Sequence, residues 1–85
     1  MQIIFEPDAK ADLDFFIKAG NKSILKKITQ LIEAITETPF EGVGKPVLKY
    51  ELAGIWSRRI NQEHRLVYDV IGEKIIIHSL RGHYN

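Results

Sequence analysis

Between Asn21 and Thr38 the residues Ile24, Leu25, Ile28, Leu31, Ile32 and Ile35 recur at i, i+1, i+4, i+7, i+8 and i+11. At 3.6 residues per turn this spacing gathers all of them on one stripe and turns lysines and polar side chains to the other side. Such a helix has to be covered along its apolar stripe. The remaining chain offers one shorter helix and several short strands, so the covering layer is a sheet, and a two-layer α+β arrangement follows. Asn21 is placed to cap this helix, and Thr38-Pro39 breaks it.

The other elements are weaker but ordered. Gln2 to Phe5 is a short strand, ended by Glu6-Pro7. Proline at a first helical position, followed by Asp8 and Asp12, signals a helix start with acids near the positive end of its dipole. Ala9, Leu13, Phe16 and Ile17 then recur at helical spacing until Gly20. The stretch Phe40 to Pro46 is a glycine- and proline-punctuated loop without the spacing of a Walker phosphate loop. Val47 to Leu52, Ile55 to Ile60, Arg65 to Val70 and Lys74 to Leu80 read as strands, the last three joined by the short turns Asn61-Gln62-Glu63-His64 and Ile71-Gly72-Glu73. Loops this short require antiparallel neighbours. The expected architecture is two helices on one face of a twisted antiparallel sheet of about four strands, with residues 1–85 forming one domain.

With 85 residues and 45% apolar content, the chain buries only about 60–65% of the surface it exposes when unfolded. Chemistry is therefore expected on an open face or shallow groove. There is no cysteine, hence no disulfide framework and no thiolate metal site. Ile3, Ile4 and Phe5 are too short an apolar run for a secretory signal, and no run approaches the ~18 residues of a spanning helix. A cytoplasmic protein without membrane contact is expected.

The net charge of +1 is uninformative, but its distribution is not. Residues 1–40 carry lysines as their only basic side chains, offset by six carboxylates, whereas all four arginines (Arg58, Arg59, Arg65, Arg81) and all three histidines (His64, His78, His83) fall in the second half. Arginine's planar fork suits bidentate phosphate contact, so the asymmetry favours a binding sheet over a binding helix. The run Trp56-Ser57-Arg58-Arg59-Ile60-Asn61-Gln62-Glu63-His64-Arg65-Leu66-Val67-Tyr68 writes this into a strand, turn and strand. The cluster Arg81-Gly82-His83-Tyr84 adds a phosphate-binding side chain, a group that titrates near neutrality and a phenol. Strand alternation sets Trp56, Arg58 and Ile60 on one face and Ser57 and Arg59 on the other. The histidines lack H-x-x-x-H spacing, which speaks against zinc, and His64 and His78 read as structural, Trp56 as core.

At these residues the chain resembles the YoeB/Txe family of bacterial toxins, within the wider RelE-like group of messenger RNA interferases. Three blocks carry the likeness: Thr38-Pro39-Phe40-Glu41-Gly42-Val43-Gly44-Lys45-Pro46, then Gly54-Ile55-Trp56-Ser57-Arg58-Arg59-Ile60 continuing through Glu63-His64-Arg65-Leu66-Val67-Tyr68, and the terminal Arg81-Gly82-His83-Tyr84. The resemblance implies a toxin of a type II toxin-antitoxin system, an endoribonuclease that cuts messenger in the ribosomal A site through the ribose 2′-hydroxyl, without metal or other cofactor. It further implies a cognate antitoxin of YefM/Phd-like type covering the active face, and a homodimer.

By family position Arg65, His83 and Tyr84 carry over as catalytic, with Glu63 and Arg59 beside them. Arg65 is the expected stabiliser of charge on the phosphate and His83 the proton-transfer group, while Tyr84 stacks on a base or donates to the phosphate. Glu63 either takes the 2′ proton or orients Arg65, the latter preferred, with a salt bridge to Glu63 or Asp69 as the purely structural role for Arg65. Lys45, Lys49, Arg58, Arg59 and Arg81 are read as backbone anchors for RNA. One departure stands out: Lys45-Pro46-Val47-Leu48-Lys49 is a residue shorter than the family's segment and lacks its glutamate, with Val47 in that place and Glu51 the nearest following acid. A toxin that occupies the ribosome with weak or no cleavage is the alternative this loss suggests. A protein-interaction surface alone is a third.

Overall fold

A computed structural model describes residues 2–40, 47–50 and 55–82, the stretch 47–50 as backbone alone. The elements are β1 (Gln2–Phe5), α1 (Pro7–Lys18), α2 (Lys22–Glu37), β2 (Val47–Tyr50), β3 (Ile55–Arg59), β4 (Arg65–Ile71) and β5 (Lys74–Ser79). His83, Tyr84, Lys45 and Glu51 lie outside the described residues, as do the side chains of Val47 and Lys49.

Helix α1 begins as its sequence dictates, with Pro7 in the first turn, Asp8 beside the positive end of the dipole and Lys18 at the negative end. It buries Ala9 and Phe16 but leaves Ile17 54% exposed, although all recur at helical spacing. Ile17 lies one helical step, about 100°, beyond Phe16, which carries it off the covered face. After Gly20, whose positive φ of 67° ends the run, Asn21 Oδ1 accepts the Ile24 N–H at 3.2 Å and starts α2. The six-residue stripe is borne out: Ile24, Ile28, Leu31 and Ile35 are buried, and Leu25 and Ile32 pack at the margin. Replacing the cap, Asn21→Ala, is expected to cost about 1 kcal/mol, readable as a lower urea midpoint with unchanged slope.

The sheet order is β1-β5-β4-β3-β2. Its last four strands form the antiparallel ladder that the short loops require, and β1 adds alongside β5 in parallel, with Gln2 opposite Lys74 and Phe5 opposite Ile77. Two helices intervene between β1 and the rest of the sheet, so a parallel return is sterically open to it. One face, formed by Leu66 and Tyr68 of β4, Ile75 and Ile77 of β5, and the flanking Ile60 and Leu80, merges with α1 and α2 in a single core. Trp56 packs against this core, as expected. The opposite face carries Ser57, Arg59, Arg65 and Val67. No helix among the described residues is long and apolar enough to cross a membrane.

Candidate functional site at the β3–β4 hairpin

The Asn61 side chain holds the turn between β3 and β4. Asn61 Oδ1 accepts the N–H groups of Glu63 at 2.8 Å and His64 at 2.7 Å, while His64 O accepts from Ile60 N at 3.0 Å and Asn61 N at 3.2 Å. This closed turn sets Arg59 directly opposite Arg65 across the ladder, both on the face away from the helices.

Arg65 is half-buried over Ser57. Its Nε–H donates to Ser57 Oγ at 2.9 Å and one Nη2 hydrogen to Ser57 O at 3.3 Å, so the guanidinium is pinned along one side. Of its five N–H donors, three have no hydrogen-bond partner among the described residues, both of them on Nη1 included. Burial, and then the charge of Arg59, lower its pKa from the usual value, which still leaves it cationic at any cellular pH. Like charges directly opposite on a ladder destabilise it, so an anion placed between these two would be attracted by both. The salt bridges considered for Arg65 are not formed: its described partner is Ser57, not Glu63 or Asp69.

Glu63 also departs from the preferred role. Its carboxylate, 79% exposed, contacts His64 Nε2 at 3.2 Å and does not orient Arg65. His64 in turn accepts the Gly82 N–H on Nδ1 at 2.9 Å, and Gly82 O accepts the Arg65 N–H at 3.1 Å. The residue preceding His83 is thus hydrogen-bonded to two consecutive residues of the hairpin. Further back, Leu80 N donates to Asp12 Oδ2 at 2.9 Å, and the Arg81 guanidinium lies 3.7 Å over the Phe15 ring, which anchors the approach to α1. Arg81 keeps its edges exposed but commits its flat face to an aromatic, a cation–π role that its reading as a phosphate anchor did not include.

Arg58 requires a correction. Read as an RNA anchor, it is instead fully buried on the helix-covered face, where strand alternation places it with Trp56. Its Nε–H donates to the Tyr68 hydroxyl at 3.1 Å and Nη2 to the backbone oxygen of Thr38; the Tyr68 hydroxyl donates on to Pro39 O. Thr38 closes α2, whose last turn has no basic residue, so Arg58 supplies the cation that the helix's negative end favours. Burial raises the Tyr68 phenol's pKa, and the hydrogen bond and charge of Arg58 pull it partly back. Arg58 therefore holds the fold at the end of α2, where it meets Thr38 and, through Tyr68, Pro39.

His78 pairs with Glu6 at the start of α1, and its Nε2 has no hydrogen-bond partner among the described residues. Among the described residues no three His, Asp or Glu side chains are grouped to hold a metal ion. What the hairpin offers is a pair of guanidiniums on an open face, one of them rigidly aimed, bounded by an exposed carboxylate and by the chain segment leading to His83 and Tyr84.

The chain is similar to known proteins over nearly its whole length. The model of the YoeB-like toxins of bacterial type II toxin-antitoxin systems matches residues 5–84. Toxin YoeB of Synechocystis sp. is 47% identical over 85 residues, covering 99% of this chain and 98% of that protein. Among solved structures, the YoeB dimer of Staphylococcus aureus superposes with a TM-score of 0.89 at 44% identity, covering 99% of this chain and 98% of that one. The toxin in a heterotetrameric YoeB-YefM complex from the same organism gives 0.84 at 43% identity over the same shares.

Proposed function

Because the chain belongs to the family of YoeB-like toxins of bacterial type II toxin-antitoxin systems, we infer that it is an endoribonuclease that cuts messenger RNA on the ribosome and that a YefM-like antitoxin holds in check. The observation that carries this reading is the Arg65 guanidinium, fixed by Ser57 on one side and offering its remaining donors beside Arg59.

Cleavage through the RNA's own 2′-hydroxyl needs a proton acceptor there, a cation at the non-bridging oxygens and a donor for the departing 5′ oxygen. Arg65 supplies the second, because two N–H donors of one rigid plane follow the oxygens as their charge grows. Glu63 is the acceptor: Oε2 is tied to His64 while Oε1 stays available on an exposed side chain able to approach a ribose. His83 gives its proton to the 5′ oxygen as the phosphorus–oxygen bond breaks, leaving a cyclic 2′,3′-phosphate and a free 5′-hydroxyl. Tyr84 stacks on a neighbouring base, and Arg59, Lys45, Lys49 and the edges of Arg81 hold the backbone.

The partners follow from the relatives. The S. aureus toxin was solved both with YefM and as a dimer, and this chain is expected to pair with itself and with an antitoxin whose carboxylates meet Arg59 and Arg65. The cytoplasm, where ribosomes and messenger are, is its place of action.

The test is primer extension in a cell-free translation reaction. New 5′ ends within translated codons, with none on the same RNA lacking ribosomes, are the expected result. Stalled ribosomes on intact message would replace cleavage by blockade, the outcome that Val47 in place of the family's acid makes specific to this chain.

A further inference from the structure

We propose that His64 is a positioning residue for the site: as the neutral Nε2–H tautomer it takes the Gly82 N–H on Nδ1 and fixes, beside Arg65, the point from which His83 and Tyr84 continue. The proposal deepens the ribonuclease reading and rests on it for its effect on turnover alone.

Two neighbours dictate the same tautomer. A backbone N–H can only donate, so Nδ1 at 2.9 Å from Gly82 N carries the lone pair. An ionised carboxylate can only accept, so Nε2 at 3.2 Å from Glu63 Oε2 carries the hydrogen. The ring has little freedom to do otherwise. It is 13% exposed, meets the buried Phe16 ring edge-on at a centroid distance of 5.1 Å, and its backbone is locked by Asn61. Gly82 is held from the other side by Arg65 N, so both of its polar groups are used by adjacent residues, the last of the turn and the first of β4. Its φ of +82° is one that glycine adopts freely and other residues do not, so the chain turns here at a residue whose direction depends on its hydrogen bonds. The imidazole thus links the acceptor carboxylate of Glu63 to the segment that bears the proton donor.

Side-chain topology gives a discriminating pair of variants. The Asn amide oxygen lies two bonds from Cβ, as Nδ1 does, whereas the Gln amide lies three bonds away, as Nε2 does. His64→Asn keeps an acceptor for Gly82, and His64→Gln keeps only the contact to Glu63. Long-range 1H–15N spectra of the parent protein are expected to show His64 with Nε2 protonated and Nδ1 bare; the opposite tautomer overturns the proposal, whatever the variants do. Gly82 amide exchange is expected to be about fivefold faster in His64→Gln and within about twofold of the parent in His64→Asn. In the translation assay kcat of His64→Gln falls on the order of 10- to 100-fold with KM little changed, and His64→Asn restores most of it. Equal Gly82 exchange in the two variants overturns the clamp. If Gly82 follows the expected pattern while no protein of the series cuts RNA, the clamp stands and the ribonuclease reading fails.

Discussion

Arg65→Ala is expected to lower the rate of message cleavage by about 100- to 1,000-fold, the loss typical when a donor aimed at developing charge is removed. The fold should survive the change. Arg65 gives its described side-chain hydrogen bonds to Ser57 alone, and its loss also relieves the repulsion from Arg59 directly opposite. Single-turnover cleavage on programmed ribosomes, with melting temperature measured in parallel, separates the two effects. Arg65→Lys should recover little, because an ammonium can neither bridge Ser57 Oγ and O nor present two parallel donors to a phosphate. A variant that cuts at more than a tenth of the parental rate would remove Arg65 from the chemistry.

Arg58→Ala is expected to act in the opposite way, through stability. Truncation leaves the Thr38 carbonyl and the Tyr68 hydroxyl short of a donor and opens a cavity under the end of α2. Together these cost about 3–5 kcal/mol, a large share of the 5–15 kcal/mol that holds a typical domain together. For a domain of this size the melting temperature should drop by at least about 12 °C. Calorimetry checks it, and a variant melting within a few degrees of the parent would show that the buried network contributes little. Whatever folded Arg58→Ala remains should retain its affinity for RNA, since the guanidinium is not at the open face.

The contrast between the neighbouring arginines marks where the sequence stops being legible. The α2 stripe announced its helix and its buried face together, because one periodicity encodes both. Strand alternation already grouped Arg58 with Trp56 and Ile60, yet a charged side chain suggested solvent. The compensation that makes its burial tolerable, the end of α2 and the Tyr68 hydroxyl, depends on packing between elements twenty and ten residues away. His64 was hidden for the same reason: its partner is Gly82, eighteen residues on, and no local pattern in the turn points to it. Arg59, Arg65 and Glu63 emerged from residue type and family position, but the partners of Arg65 and Glu63 did not. The parallel pairing of β1 with β5 has no signature in either strand, since it joins the two ends of the sequence.

That pairing sets a timetable for the newborn polypeptide. β5 lies between β1 and β4, so residues 2–5 have no strand to dock on until residues 74–77 have been made. While residues 74–79 are still in the exit tunnel, β1 waits without its parallel neighbour and β4 without one of its two. The contact that closes this edge of the sheet therefore joins residues some seventy positions apart, and the toxin's sheet is completed only when both segments are free to meet.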